Sequence, residues 1–458
     1  MQILQKMLIA LLSVLLLINL PACSAVSKEP DFKYKSDASI AALIESNNIP
    51  YPATNFIVFS DTHILSPELG TGEALEKYLS EDRKLLREST KIMDSLSESI
   101  KQEAGDFVIV TGDLTKDGEK VSHELMASYL NQIEKSGKQV YVVPGNHDIL
   151  NPHAVRYEGD SSIPVPSVTP EQFAEIYGDF GFDEALYRDS DSLSYVVEPK
   201  SGLWLLALDA CRYKENPGRE DPVTDGAFSP KTLNWIEEML IKARQQHKPV
   251  VVCMHHNVAE HYKGQEKYFS EYIVDNYVEV SRLFSAYGVR LVFTGHYHAQ
   301  DITMVRFPGE NQFLLDIETG SLVTYPCPYR LVQITAGQNL VVRSKNVTKI
   351  DGVTDFEKYA RDYIQSGIVT IALNTLEDYG VKSSAAEILA KQVGAAFSAH
   401  YAGDEKLSPG QSVLTSKGTG FMGWVVVLIR KAMITELWQD LYPPDNNVVI
   451  NLETGISE

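Results

Sequence analysis

The stretch Val140-Tyr141-Val142-Val143-Pro144-Gly145-Asn146-His147-Asp148 decides how this chain is read. Four β-prone residues run into Pro144-Gly145, and there the chain must turn. A buried strand that stops at such a turn carries its next side chains past the sheet, where α/β folds hold their ligands. Those side chains are an amide oxygen, an imidazole and a carboxylate. An ordinary solvated loop accounts for one such trio. It does not account for the same chemistry recurring at several strand ends.

Working outward, Phe56–Phe59 ends at Ser60-Asp61-Thr62-His63, and Phe107–Val110 closes at Thr111-Gly112-Asp113. Val250–Met254 ends at His255-His256, and Val289–Phe293 at Thr294-Gly295-His296-Tyr297-His298. Between them lie stretches with helical patterning. From Glu73 to Gln102, residues Leu85, Leu86, Ile92, Met93, Leu96 and Ile100 fall mostly at three- and four-residue intervals, and Lys120–Lys135 and Ser229–Gln246 follow suit. Strands alternating with helices predict a layered α/β fold around a largely parallel sheet. Phe313–Ile317, Tyr329–Thr335 and Asn339–Arg343 read as closing strands. Asn151–Pro199 carries Pro152, Pro164, Pro166 and Pro170 and reads as a long loop of the kind that covers a site.

The chain has 458 residues, room for more than one domain. Its formal charge of −20 argues against duplex nucleic acid as a partner, because that binding needs a cationic face. A small anionic substrate held through metal ions stays open, since bound cations reverse the local field. Residues 1–22 read as a targeting segment: Lys6, then an apolar run Met7–Leu20, too short to span a bilayer comfortably. Leu20-Pro21-Ala22-Cys23 resembles a bacterial lipobox. That resemblance implies a lipid anchor on Cys23 and an extracytoplasmic protein on a membrane surface; an ordinary secretory signal is the alternative. Residues 23–53 read as a polar tether, 54–348 as the catalytic domain and 351–458 as a helical domain. In the last, Thr354-Asp355-Phe356-Glu357 and Ser384-Ala385-Ala386-Glu387 carry capping-box signatures. Cys211, Cys253 and Cys327 do not form a disulfide framework, and packed thiols are expected.

The strand ends together supply Asp61, His63, Asp113, Asn146, His255, His296 and His298. Oxygen and imidazole donors without cysteine suit Zn, Mn or Fe. Seven donors exceed the four a structural zinc takes, and they suit two ions sharing a carboxylate. Residues two apart in an extended segment point to the same side, which gives Asp61-x-His63 and His296-x-His298 their logic.

The set and its order resemble the calcineurin-like metallophosphoesterase superfamily over roughly Asn55–Lys345, and within it the bacterial lipoprotein branch similar to class III cyclic-nucleotide phosphodiesterases. The resemblance implies a four-layer αββα sandwich, here with an added C-terminal helical domain. It implies one metal on Asp61, His63, Asp113 and His298, and a second on Asp113, Asn146, His255 and His296. Asp117-Gly118 completes the Gly-Asp-x-x-x-Asp-Gly pattern. Asn257 departs from the Pro that many relatives carry after the His pair.

Two adjacent cations can turn a bridging water into hydroxide and clamp a phosphate oxygen. His147 is then the candidate proton donor to the leaving oxygen, and Asp148 the carboxylate expected to hold its imidazole. His256 and Arg156 are candidate substrate contacts. His153 reads as a solvated loop residue, and Tyr262, Tyr268 and Tyr272 as rings that stack on a nucleobase or pack a lid. The expected activity is hydrolysis of a small phosphodiester, with cyclic nucleotides the leading substrate. A phosphomonoesterase or nucleotidase, an anchored binding protein without turnover, and a nuclease are the alternatives.

Overall fold

The computed structural model describes residues 31–45, 49–307, 312–403 and 405–457. The targeting segment 1–22 and Cys23 lie outside the described residues. The chain begins with two short helices, α1 (Lys33–Ser36) and α2 (Ala38–Glu45). The first half of the catalytic region holds β1 (Thr54–Phe59), β2 (Gly70–Thr71), α3 (Glu73–Glu81), α4 (Ser89–Gln102), β3 (Phe107–Val110), α5 (Lys120–Glu134) and β4 (Gln139–Val142). There follow β5 (Val155–Glu158), β6 (Ser161–Pro164), α6 (Pro170–Ile176), β7 (Tyr187–Arg188), β8 (Tyr195–Lys200), β9 (Leu203–Leu208), α7 (Pro230–Gln245) and β10 (Val250–Met254). Next come α8 (Gln265–Tyr268), α9 (Tyr277–Ala286), β11 (Leu291–Thr294), β12 (Asp301–Arg306), β13 (Phe313–Glu318), β14 (Pro328–Ile334) and β15 (Asn339–Asn346). Helices α10 (Phe356–Asp378), α11 (Ser383–Ala402) and α12 (Gly420–Glu436) precede a last strand, β16 (Asn447–Asn451).

Two sheets face each other. One runs β16-β15-β14-β1-β3-β4, the other β12-β13-β11-β10-β9-β8-β7, and a small third sheet is β2-β5-β6. Alternation along the strands sorts the side chains between layers. Leu203, Leu205 and Ala207 of β9 face the other sheet, while Trp204, Leu206 and Leu208 face α7 and α9. Phe56 of β1 meets Phe293 of β11 edge-on across the interface, ring centres 5.2 Å apart. Ile92, Met93 and Leu96 of α4 and Met126, Leu130 and Ile133 of α5 cover the first sheet. The order helix, sheet, sheet, helix is the αββα sandwich that the resemblance implies.

Register explains why the loops converge. Phe59 pairs with Val110, and Val110 with Val142, so β1, β3 and β4 run parallel and end level. Cys253 pairs with Phe293 and Ala207 in the second sheet, also parallel. Both sheets thus present their carboxyl ends to one region.

Four expectations change. The tether is in part a docked segment: Phe32 is buried among core residues, the Lys33 and Tyr34 amides both donate to the Glu237 carboxylate at 3.0 Å, and Arg244 donates to the Ile44 carbonyl at 2.7 Å. The stretch Asn151–Pro199 is not a bare loop, because it holds β5 to β8 and α6. Thr169 caps α6 in a capping box with Gln172, and Pro170 sits at the first helical position, where its missing N–H costs nothing. The helix expected across Glu73–Gln102 breaks at Asp82, whose Oδ1 accepts the Lys84 amide at 2.8 Å. Finally, Asn447–Asn451 returns to the first sheet and pairs with β15, so residues 351–458 are not helical to their end. Cys211, Cys253 and Cys327 are all free. Among the described residues no helix is long and apolar enough to cross a membrane.

Candidate metal centre

Backbone conformation marks the site before any side chain does. Among the described residues eleven non-glycine residues have positive φ, and five of them are Asp61, His63, Asp113, His296 and His298. Such conformations cost about 1–3 kcal/mol each and persist where surrounding contacts over-determine them. Here the contacts are main-chain bonds between loops. The Asp61 amide donates to Gly112 O at 3.0 Å, His63 to Asp113 O at 2.9 Å, and Gly295 to His255 O at 3.0 Å. Thr111 Oγ1 donates to Thr294 O at 3.3 Å, tying one sheet's loops to the other's. Close approach also explains the glycines: a Cβ on Gly145 would sit 2.1 Å from Asp113 Oδ1, and one on Gly295 2.0 Å from Ser60 Oγ.

The donors fall into two sets. Asp61, His63, Asp113 and His298 bring one ligand atom each within 4.8 Å of one another, and so do Asp113, His255 and His296; all are buried. In the first set His63 Nε2 and His298 Nε2 stand 3.2 Å apart, and Asp61 Oδ1 lies 3.4 Å from His298 Nε2. In the second, His255 Nε2 is 3.2 Å from Asn146 Oδ1. Asp113 belongs to both through one atom. Its Oδ2 is 3.6 Å from His63 Nε2 and 3.3 Å from His255 Nε2, while its Oδ1 accepts the His147 amide at 2.9 Å.

These residues fit a pair of cations. Asp61 Oδ1 is buried without a hydrogen-bond partner, an expensive state for a carboxylate unless a cation meets it. Ring-nitrogen contacts choose the ligating atoms. His255 Nδ1 lies 2.8 Å from Thr111 O, which leaves Nε2 for a metal; His296 Nε2 lies 3.2 Å from Glu271 O, which leaves Nδ1. Burial holds His63 and His296 well below the ordinary histidine range and lowers His298, so their lone pairs are free at neutral pH. Burial would also lower His255, but the Asp113 carboxylate outweighs it and takes that imidazole up to about 9.

His147 stands at the edge of the first set, its ring 4.9 Å from that of His63 and partly exposed. The carboxylate that holds it is not Asp148. His147 Nδ1 lies 2.9 Å from Asp117 Oδ1 and 2.8 Å from Lys116 O. Asp148 points away and accepts from the Gly145, Leu114 and Thr115 amides at 2.8, 3.1 and 3.0 Å and from Thr115 Oγ1 at 3.0 Å. Its role is structural, fastening the turn after β4 to the turn after β3. Adjacent residues in a chain need not face the same way, and here the turn sends Asp148 inward.

The expected substrate contacts fare differently. His256 is fully buried, with Nε2 2.8 Å from Thr224 O and its ring 4.3 Å from that of His296, so it backs a ligand rather than facing a substrate. Arg156 is half-buried on β5 and paired with Glu158 of the same strand. His153 is exposed beside Asp221, Nε2 to Oδ1 3.1 Å. Tyr262 is buried and closed off from a nucleobase, its hydroxyl 3.2 Å from that of Tyr297. Tyr272 packs against His296, ring centres 4.7 Å apart. Asn257 joins the loop of His296 to the next segment. Its amide nitrogen donates to Thr294 Oγ1 at 3.0 Å and its main-chain amide to Tyr272 O at 3.1 Å.

Two cations escaped the sequence reading. Arg83 and Lys84 lie in the break between α3 and α4, and the Lys84 charge reaches far enough to add to burial in lowering His63 and His298. The only sequence signal was Asp82, a turn former inside a helical pattern. A further buried group, Asp301, His400 and Glu405, joins β12 to α11, with His400 Nδ1 2.5 Å from Glu405 Oε1.

The family description Calcineurin-like phosphoesterase matches residues 54–300. The chain belongs to that family. No curated protein is similar enough to count as a match. Among solved structures the chain is similar to a purple acid phosphatase from yellow lupin (Lupinus luteus) seeds, at 14% identity and a TM-score of 0.40, covering 68% of this chain and 54% of that one. It is also similar to the sulfate thiohydrolase SoxB of Thermus thermophilus in complex with glycerol, at 15% identity and a TM-score of 0.33, covering 71% of this chain and 62% of that one. The chain therefore spans less than two thirds of the length of either. Within the calcineurin-like phosphoesterases, the residues here support a binuclear divalent metal centre.

Proposed function

We propose that the protein hydrolyses phosphodiesters at this centre. The observation that carries the proposal is Asp113 Oδ2, placed between two ligand sets with His147 at their edge. Two cations held there would supply a water ionised near neutral pH and positive charge against the phosphate oxygens. Asp61, His63, Asp113 and His298 would hold one; Asp113, Asn146, His255 and His296 the other.

The chain's own part is the proton and the orientation. Both neighbours of His147 Nδ1 are acceptors, so the proton sits there and Nε2 faces the cleft. Burial alone would lower the His147 pKa, but the Asp113 and Asp117 carboxylates raise it overall. The imidazolium form is thereby favoured, and Nε2–H donates to the leaving oxygen. Lys84 adds positive charge on the same side. No side-chain nucleophile is needed.

Cyclic nucleotides remain in the substrate panel because of the resemblance, although Tyr262 offers no stacking face. The same proposal places the protein outside the cytoplasm, anchored through Cys23. Purified protein loaded with Mn, Fe or Zn should cleave bis(p-nitrophenyl) phosphate faster than p-nitrophenyl phosphate. The reverse preference would make it a phosphomonoesterase, and no turnover of either ester would leave an anchored binding protein on the same fold.

A further inference from the structure

Helices α10, α11 and α12 close over a cavity of about 410 Å³ on the catalytic region. Its walls are mainly hydrocarbon, Ile368 from α10, Leu389, Val393 and Phe397 from α11 and Val426 from α12, with Thr375 and Arg430 among them. Its inner side is the ring pair Tyr272 and Tyr297, centres 4.7 Å apart. Tyr272 is also the ring that packs on His296, so the cavity comes within one aromatic ring of a metal ligand. Arg83 lines the same cavity beside the Tyr272 and Tyr401 hydroxyls, and its Nε has no hydrogen-bond partner. Its charge also reaches His298. A cation thus stands where the apolar space and the metal centre meet.

We propose that this cavity takes the hydrocarbon chain of an amphiphilic phosphoester whose phosphate lies on the metal ligands. The inference rests on the phosphohydrolase reading and names its substrate class. Most of the lining is apolar, so a ligand rich in polar edge groups would leave many of them unpaired. An alkyl chain makes no such demand. The roof itself points the same way. Helix α12 lines the cavity with Val426 and Met433 and turns Phe421, Trp424 and Leu428 outward, at 60%, 49% and 67% exposure. Apolar surface of that kind, with Trp and Phe prominent and Lys431 alongside, suits contact with a lipid surface, where amphiphiles are found.

The test is a series of p-nitrophenyl alkyl phosphodiesters, methyl to hexadecyl, kept below their micellar concentrations. Each methylene that enters the cavity should raise kcat/KM about four-fold, with a plateau once the space is full. V393W and L389W, which fill the cavity, should collapse the long-chain to short-chain ratio. Binding of a dansylated fatty acid to metal-stripped protein, displaced by dodecylphosphocholine, gives a readout independent of turnover. Turnover of the methyl ester with kcat/KM flat across the series would overturn the cavity assignment and leave the phosphodiesterase reading standing. Loss of every turnover with the fatty acid still bound one to one would do the opposite. Fatty-acid binding unaffected by both tryptophans would also overturn the assignment.

Discussion

The floor and the roof of this cleft are made of opposite materials. The floor is polar, buried and strained: five ligands in left-handed backbone, one carboxylate oxygen shared by two sets of donors, and glycines where no other residue fits. The roof is three helices of ordinary geometry, apolar inside the cavity and partly apolar outside it. The floor spends stability to place chemical groups, while the roof gains stability from packing. A substitution in the floor should therefore cost turnover, and one in the roof should cost folding free energy.

Asp113→Asn tests the floor hardest. It weakens both donor sets at once, so turnover should fall to background and elemental analysis should find less than one ion per chain. If two ions remain, the shared oxygen is not what joins the sets. His147→Gln should lower kcat about 10²–10⁴-fold with the metal content unchanged. Ile364→Ala, in α10, removes a fully buried side chain of the roof and should cost about 2–5 kcal/mol in denaturant unfolding, with metal content preserved. A variant that lost metal instead would erase the distinction between floor and roof.

Asp117→Asn should lower kcat about 10–100-fold. It also removes one of the charges that raise the His147 pKa, so the alkaline limb of the rate profile should move to lower pH. Asp148→Asn should leave that limb in place, and an equal shift in both variants would contradict the assignment of Asp117. The last test concerns His123, buried beneath the floor with Nε2 2.8 Å from Asp148 O. Burial depresses its pKa from 6.5 to about 4. A depressed histidine contributes stability above its unfolded value and loses it as pH falls through the folded one. Unfolding between pH 6.5 and 4 should show roughly 3 kcal/mol of pH-dependent loss that His123→Gln removes.

The floor was legible because its chemistry is written in short motifs at strand ends, and strands announce themselves by composition. The ligand atoms come from separate loops, yet each loop carries its own Gly, Asp or His signature. The partner of His147 was not legible. Asp148 is its neighbour in sequence, whereas Asp117 lies 30 residues away and meets it only after β3 and β4 pair. Arg83 and Lys84 were hidden for a related reason: their stretch has good helix formers on both sides, and one Asx turn at Asp82 breaks it. Phe32 and Tyr34 are two aromatics in a largely polar segment, and nothing local says that they dock. The cavity was invisible because Leu389, Val393 and Phe397 fall at intervals of four, which reads as ordinary core whether or not the core is full.

Strands β15 and β16 are hydrogen-bonded neighbours, and all three roof helices lie in the chain between them. The roof is thus an arch with both feet on one sheet edge, not a pendant lobe on a single hinge. An arch of that kind cannot swing clear of the cleft; it can only flex at its crown while its feet stay planted. Passage of a bulky molecule would then be governed by how α10, α11 and α12 slide on one another, and a covalent staple between two of them would slow entry without touching a single ligand.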